Sequence, residues 1–229
     1  MSAFSIPILL SIPAIVWLGA RKGKAVDGAQ AEADGGKESL VSILRSACRD
    51  RTYWCLLIGF STCGFHMSII ETHLYSQYIS SGIANDVASL TLTVYGIFTM
   101  LGTIGTGFLG QKFRMKNVLA AVYGVRVLIA LGFIFLPKPP LFAFTATGLL
   151  GLTGDSTVPP TTGIIGRKVG MAKMAVVYGS IFIGHQVGTF LSAWLGGVLV
   201  DTALGYGALW TADLCLCLIA AVASYRIRD

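Results

Sequence analysis

The chain of 229 residues is strongly hydrophobic: 54% of its residues are apolar, 12% are charged, and its mean hydropathy is +0.73. A soluble domain carries about twice that share of charged residues, so the composition excludes an ordinary soluble domain. The net charge of +6 does not indicate a nucleic-acid partner, because sixteen of the seventeen basic residues lie in loops and a tail beside long apolar segments.

These apolar segments are long enough to be membrane-spanning helices. A helix that rises 1.5 Å per residue needs about 20 residues to cross a hydrocarbon core of about 30 Å. Membrane-spanning strands need only about ten alternating residues, so the lengths favour helices. The sequence therefore predicts an all-α integral membrane protein with seven transmembrane helices. They cover residues 3–20, 53–79, 87–110, 117–137, 140–165, 174–200 and 206–226.

The first segment, residues 3–20, differs from a secretory signal peptide. A signal peptide has positive charge before its apolar run, whereas this segment has none before it and a basic loop after it. We therefore expect a true span. Residues 21–38 are rich in glycine, alanine and acidic residues, which predicts a disordered linker. From Ser39 to Asp50, apolar residues recur at helical spacing, which predicts a short amphipathic helix on the cytoplasmic membrane surface.

The basic residues predict the orientation of the chain. Fifteen of them fall in the loops after the first, third and fifth spans and in the C-terminal tail, whereas the opposite loops carry only Lys138. Basic residues are concentrated on the cytoplasmic side of membrane proteins. The N-terminus is therefore predicted to lie outside and the C-terminus in the cytoplasm of a multi-pass protein of the cell membrane.

The fifth span contains Pro159 and Pro160. Proline lacks a backbone N–H and disrupts the preceding turn, so this pair predicts a kink inside the span. Freed backbone groups are tolerated at membrane depth mainly beside a cavity or a protein partner. A transport pathway lined by the kink and a protein partner packed against it are equally open explanations.

Ionisable side chains occur near the middle of five spans, where each costs about 2.5–3.5 kcal/mol on the insertion scale. A cation together with carboxylates and imidazoles at one depth predicts an anion site with a proton relay, because histidine titrates near neutral pH. A structural ion pair between Arg126 and either Asp155 or Asp213, and simple interhelical bonds of the histidines, are the alternatives. The candidate pathway residues are His66, Glu71, His73, Asp155 and His185, and the candidate ion pair is Arg126 with Asp213.

No pattern in the chain indicates an enzyme. The span interiors hold no lysine for a retinal Schiff base, and Ser180 and His185 point about 140° apart on one helix, so they cannot form a serine protease site. There is no phosphate-binding loop and no zinc signature, and the five cysteines have no metal-ligand spacing. No catalytic residue, metal, cofactor or nucleic acid is predicted.

Four stretches resemble a known transporter family: GFSTCGFHMSIIETHL, GFLGQKFRMKNVL, GLLGLTGDSTVPPTTGIIG and IFIGHQVGTFLSAWLGGVLVD. Together they resemble the C-terminal half of the major facilitator superfamily, close to its monocarboxylate-transporter-like branch. The second stretch looks like the family's cytoplasmic loop motif, with Gln111 where an aspartate is usual. The residues that match this motif are Gly107, Gly110, Lys112, Arg114 and Lys116.

The resemblance implies twelve helices in two halves, with substrate bound at the midplane between them. Residues 3–20 then resemble the sixth helix, 21–52 the central cytoplasmic loop with its short helix, and 53–226 the six-helix C-terminal half. On this reading five helices are missing, either because the gene product is truncated or because the transporter is split. The spans of the five pathway residues would line the cavity, and those of Arg126 and Asp213 would be peripheral.

The function expected from these features is secondary active transport of a small organic anion, such as a monocarboxylate, by proton symport or exchange. The expected partners are the lipid bilayer, the anion, protons, and a missing N-terminal half or a second copy of the chain. A seven-helix receptor, or a membrane remnant that does not transport, is the alternative from another class.

Overall fold

The computed structural model describes residues 39–202 and 204–228, and all regular structure within them is helical. The predicted span at 3–20 and the predicted linker at 21–38 lie outside the described residues. The described helices form one compact unit, Leu40–Asp229. They are α1 (Leu40–Cys48), α2 (Arg51–Ser68), a π-helical segment (Ile69–His73), α3 (Leu74–Ser80), α4 (Asn85–Lys112), α5 (Met115–Phe135), α6 (Pro140–Thr153), a 3₁₀ segment (Asp155–Thr157), α7 (Val158–Val169), α8 (Met171–Val200) and α9 (Gly205–Tyr225).

Five of the helical stretches in the described part are long and apolar enough to cross a membrane. The first is continuous from Arg51 to Ser80 through α2, the π segment and α3, and the others are α4, α5, α8 and α9. Their ends lie within three residues of the predicted ones. The predicted span at 140–165 is instead broken into α6 and α7, each too short to cross alone. The structure thus confirms an all-helical membrane protein.

The break between α6 and α7 lies at Gly154, one turn before the prolines. Gly154 has φ −51° and ψ −85°, away from the helical ψ of about −42°. Pro159 has no N–H for the Asp155 carbonyl, so the Val158 N–H bonds that carbonyl instead. The predicted kink is therefore a break of the helix into two pieces.

Polar residues cap the first turn of α2. The Asp50 side chain caps the helix by accepting from the Thr52 N–H at 2.8 Å, and it pairs with Lys168 at 2.7 Å. Partial burial raises the pKa of the Asp50 carboxyl, but the bonds from Lys168 and Thr52 lower it more, so this pKa lies below its usual value. The stabilising contribution of Asp50 is therefore present above its usual pKa and is lost as the pH falls through the lowered one.

Two apolar clusters, one above the other along the helices, form the core. One is built around Trp210 and Phe133, whose rings stack with centroids 4.1 Å apart. The other is built around Phe60 and Tyr123. Helices α2, α5 and α9 each contribute residues to both clusters. In each of these helices, a buried ionisable residue lies where the helix passes from one cluster to the other. These residues are His66, Arg126 and Asp213.

Glycines let pairs of helices approach closely. The helix pairs with the most extensive contact are α2 with α8, α5 with α9, and α4 with α6. A Cβ on Gly64 would overlap the His185 carbonyl of α8, and one on Gly188 would overlap the Ser61 carbonyl of α2. In lipid, such small residues provide the close backbone contact on which helix association depends.

We expect Gly64→Ala and Gly188→Ala to lower the free energy of unfolding by about 1–3 kcal/mol, because the added methyl groups force α2 and α8 apart. Gly96→Ala and Gly105→Ala are matched controls, since nothing lies within 4 Å of a Cβ at either position. The controls should be neutral or gain up to about 1 kcal/mol from higher helix propensity. Unfolding by SDS titration in mixed micelles measures both, and equal losses in all four variants would contradict the close approach.

Candidate functional site

The predicted pathway residues separate into a buried group and an exposed group. His66 is completely buried, whereas Glu71 and Asp155 are exposed, and His185 is half-buried. His73 is also half-buried and packs against Gly196 of α8. One layer of ionisable residues in the sequence is therefore divided into a buried set and an exposed set in the fold, and His185 of the exposed set lies close enough to Cys63 of α2 to interact with it.

His66 is bonded to Asp213 of α9. The His66 Nδ1 and Asp213 Oδ2 atoms are 2.8 Å apart, and both side chains are completely buried. Since a carboxylate only accepts hydrogen bonds, Nδ1 carries the proton and donates it. The Cys217 thiol approaches the other carboxylate oxygen at 3.7 Å.

Arg126 does not pair with Asp213, although the sequence suggested this pair. Its guanidinium is completely buried and donates to the carbonyls of Thr153 and Gly154, the latter at 2.6 Å. The physical reason is the break after α6, which leaves these carbonyls at a helix C-terminus, where the helix dipole also favours a cation. The guanidinium further lies 5.3 Å from the Tyr123 ring centroid.

The buried group extends to a thiol from α2. Arg126 donates to the Cys63 sulfur at 3.4 Å, and Cys63 is 3.1 Å from the Thr157 hydroxyl on the far side of the break. The structure makes Cys63 a polar contact of the 3₁₀ segment, and no sequence spacing indicated this.

The exposed group contains Glu71, Asp155 and His185. They come from the π segment, the 3₁₀ segment and α8, and Glu71 lies within electrostatic range of the other two. The His185 ring stacks on Phe182 with centroids 5.3 Å apart, which orients the imidazole. Two carboxylates and an imidazole from three helices can therefore hold and exchange protons at one place.

Both carboxylates of this group lie on irregular turns. A π turn inside an α-helix is frequently found at functional sites, and nothing in the sequence marks Ile69–His73 as one. The 3₁₀ turn at Asp155 follows from the prolines after it. Five residues of helix turn Glu71 about 140° away from His66 around the axis, and the structure places the two on different sides of the same span: His66 is buried and Glu71 is exposed.

One trio of side chains has the composition of a metal site. Ligand atoms of His66, Asp213 and Cys217 lie within 4.8 Å of one another. However, Arg126 is close enough to act electrostatically on both His66 and Cys217, which opposes a second cation, and the imidazole is already bonded to the carboxylate. The trio fits a hydrogen-bonded chain better than a metal site.

The predicted loop motif lies at one end of the bundle, where α4 ends and α5 begins. A Cβ on Gly110 would lie 3.7 Å from the Met115 side chain, whereas a Cβ on Gly107 would meet nothing within 4 Å. Lys116 donates to the Ile227 carbonyl at 3.0 Å, and Lys112 is exposed. A surface pocket of about 330 Å³ lies at this end, and its lining is mostly basic. Its lining residues are Arg114, Ile164, Arg167, Lys168 and Arg228.

Comparison with known proteins assigns the family. Residues 2–192 match the Major Facilitator Superfamily, which covers most of the chain. This chain belongs to the Major Facilitator Superfamily. Its members are membrane transporters, so the prediction that the chain is not an enzyme is confirmed.

Three curated relatives of this superfamily chain are distant from it. An uncharacterised MFS-type transporter of Bacillus subtilis, YcxA, is 25% identical over 69% of this chain and 40% of its own length. The MFS transporter asaE of Aspergillus flavus is 25% identical over 90% of this chain and 44% of its own length. Monocarboxylate transporter 12 of Xenopus laevis is 26% identical over 67% of this chain and 34% of its own length. The chain thus spans less than half the length of these relatives.

We expect His66 and Asp213 to be strongly coupled in stability. Removing either partner leaves a buried polar or charged group unpaired, so His66→Ala and Asp213→Asn should each cost about 3–5 kcal/mol. The double variant should cost clearly less than the sum of the two losses. Unfolding in mixed micelles gives all three values.

The exposed pair of Asp50 and Lys168 is the control for this cycle. Its coupling should be about 0–1 kcal/mol, because water screens the two charges. Additive losses at His66 and Asp213 would show that the buried contact is absent.

Proposed function

We propose that the chain is the C-terminal part of a proton-coupled secondary transporter for a small organic anion such as a monocarboxylate. In this proposal residues 53–226 are the six-helix C-terminal half, residues 3–20 are a preceding span and 21–52 are the central cytoplasmic loop. Family membership, the five long helices and the broken sixth support this division.

The observation that carries the proposal is the exposed group of Glu71, Asp155 and His185. Three different spans contribute one titratable side chain each, and charge on either of the other two acts on Glu71. Ionised carboxylates repel an organic anion, and protonation removes this repulsion. Proton and anion therefore bind best together, which is the requirement for symport. A protonated His185 additionally supplies positive charge for a substrate carboxylate.

The discontinuous helices favour the same place as the substrate site. Transporters commonly bind substrate where membrane helices are interrupted near the midplane. Here Glu71 lies on the π segment and Asp155 on the 3₁₀ segment, so both interruptions present a carboxylate to the exposed side. The relative named as a monocarboxylate transporter supports the choice of substrate class.

A single half of this kind supplies only part of a transport pathway. The helices α4 and α8 are mostly exposed along their lengths, and their exposed residues are largely apolar. A second set of helices, from an N-terminal half or a second copy of the chain, would cover these faces and complete the site. Transport then occurs as the two sets rock against each other around the bound anion.

We expect residues 1–229 alone to insert into vesicles without catalysing uptake of lactate-like acids, and to catalyse it when a matching N-terminal half is supplied. In that complex Glu71→Gln, Asp155→Asn and His185→Gln should each lower proton-driven uptake about tenfold, the equivalent of one lost charge-assisted interaction. Glu71→Gln and Asp155→Asn should also weaken the dependence of uptake on the pH gradient.

Asp86→Asn is the matched control, because Asp86 is an exposed carboxylate in the first turn of α4. It should leave uptake and its pH dependence unchanged. Uptake by the monomeric chain alone would contradict the need for a second half. Unchanged pH dependence in both carboxylate variants would remove the exposed group from the mechanism.

The distribution of basic residues supports a cytoplasmic C-terminus and an N-terminus outside. A reporter fused after Asp229 should therefore be active only in its cytosolic format, and one in the 80–86 loop only in its exported format. A C-terminal fusion that reports from outside would overturn the proposed orientation.

A further inference from the structure

Arg126 lies in the core, yet it contacts the backbone from which one carboxylate of the exposed group projects. Its guanidinium donates to the carbonyls of Thr153 and Gly154. The Gly154 carbonyl belongs to the same rigid peptide plane as the N atom of Asp155. Holding these two carbonyls therefore orients two successive peptide planes, and the second of them sets the direction of Asp155.

The break needs such a donor because the helix does not provide one. The Val158 N–H, which would reach the Gly154 carbonyl in a continuous α-helix, bonds the Asp155 carbonyl instead. It does so because Pro159 has no N–H to offer. At membrane depth no bulk water can replace the missing donor, and an unpaired carbonyl there is costly.

Cys63 holds the other side of the same segment. Its sulfur lies 3.1 Å from the Thr157 hydroxyl and receives a bond from Arg126 at 3.4 Å. The segment from Thr153 to Thr157 is thus bonded at both ends by side chains of α5 and α2. Asp155, between these two attachments, is left exposed.

We propose that Arg126 is a positioning residue: by bonding the carbonyls at the break, it holds Asp155 toward Glu71 and His185. The role of Asp155 in transport rests on the proposed function, but the positioning of Asp155 by Arg126 can be tested without measuring transport. Arg126 itself is buried and does not contact the transported anion in this arrangement.

The test measures the reactivity of position 155. In the full chain, Asp155→Cys is combined with serine at the two exposed cysteines, Cys48 and Cys215. Maleimide labelling of the thiol introduced at position 155 is then followed in detergent micelles. Its rate is measured once with Arg126 present and once with Arg126 replaced. Arg126→Gln should change the rate about tenfold, the shift expected when a charge-assisted hydrogen bond is lost. Arg126→Lys, which keeps the charge and a donor, should restore part of the original rate.

Restoring the missing backbone donor supplies a sharper comparison. Pro159→Ala returns an N–H for the Asp155 carbonyl and frees the Val158 N–H for the Gly154 carbonyl. In that background Arg126→Gln should no longer alter the labelling rate. Pro139→Ala, before the first turn of α6, is the matched control and should leave the sensitivity to Arg126→Gln intact.

Asp213→Asn is the control that distinguishes the positioning of Asp155 from general disruption of the core. This change also disrupts the buried group but does not touch the break, so the labelling rate at position 155 should stay within about twofold. A rate that responds equally to Asp213→Asn and Arg126→Gln, or to neither, would overturn the proposal. If labelling responds to Arg126 but uptake and its pH dependence are unchanged in both Asp155→Asn and Glu71→Gln, the positioning stands and the proposed role of the exposed group in transport fails.

Discussion

Every backbone polar group inside a membrane needs a partner within the protein. At the break between α6 and α7, this partner is a side chain, the guanidinium of Arg126. The prolines remove donors, the preceding turn loosens, and carbonyls at the C-terminus of α6 lose their helical partners. Arg126 reaches them from α5 and so converts a costly buried charge into the cap of a helix end. The break gains a donor for its carbonyls through the Nη2 atom of Arg126, whereas the Nε and Nη1 atoms have no hydrogen-bond partner among the described residues.

This arrangement links helices that would otherwise meet only through apolar contacts. Apolar side chains pack against lipid tails about as well as against one another, so they specify helix alignment weakly. The bonds of Arg126 tie α5 to α6, that of Cys63 ties α2 to the 3₁₀ segment, and that of His66 ties α2 to α9. Between two apolar clusters, these polar contacts define the depth at which the helices match.

The same residue types have two roles, which depend on the side of the helix they occupy. His66 and Asp213 are buried, bonded to each other and removed from solvent. His185 and Asp155 are accessible from outside the bundle and near a further carboxylate. The buried pair links α2 to α9, whereas the exposed group is accessible to a ligand or to water. The break connects the two sets, since Arg126 lies on one side of it and Asp155 on the other.

The amino-acid sequence by itself determined the long helices and the depth of the ionisable residues. Hydropathy depends only on composition along the chain, so the ends of the five long spans were predicted to within three residues. The prolines likewise predicted a disruption of the 140–165 segment. The separation of Glu71 from His66 around one helix also followed from helical spacing alone.

Only the tertiary structure decided which groups are partners. Arg126 was expected to bind a carboxylate, but its partners are backbone carbonyls, which every residue has and no sequence pattern marks. The depth of His66 in its span followed from the sequence, and only the packing of α2 against α9 shows that it lies in the core beside Asp213. The π segment at Ile69–His73 carried no local signal either. Hydropathy places a residue along the membrane normal, whereas its rotation about the helix axis and its neighbours are set by the packing of helices distant in sequence.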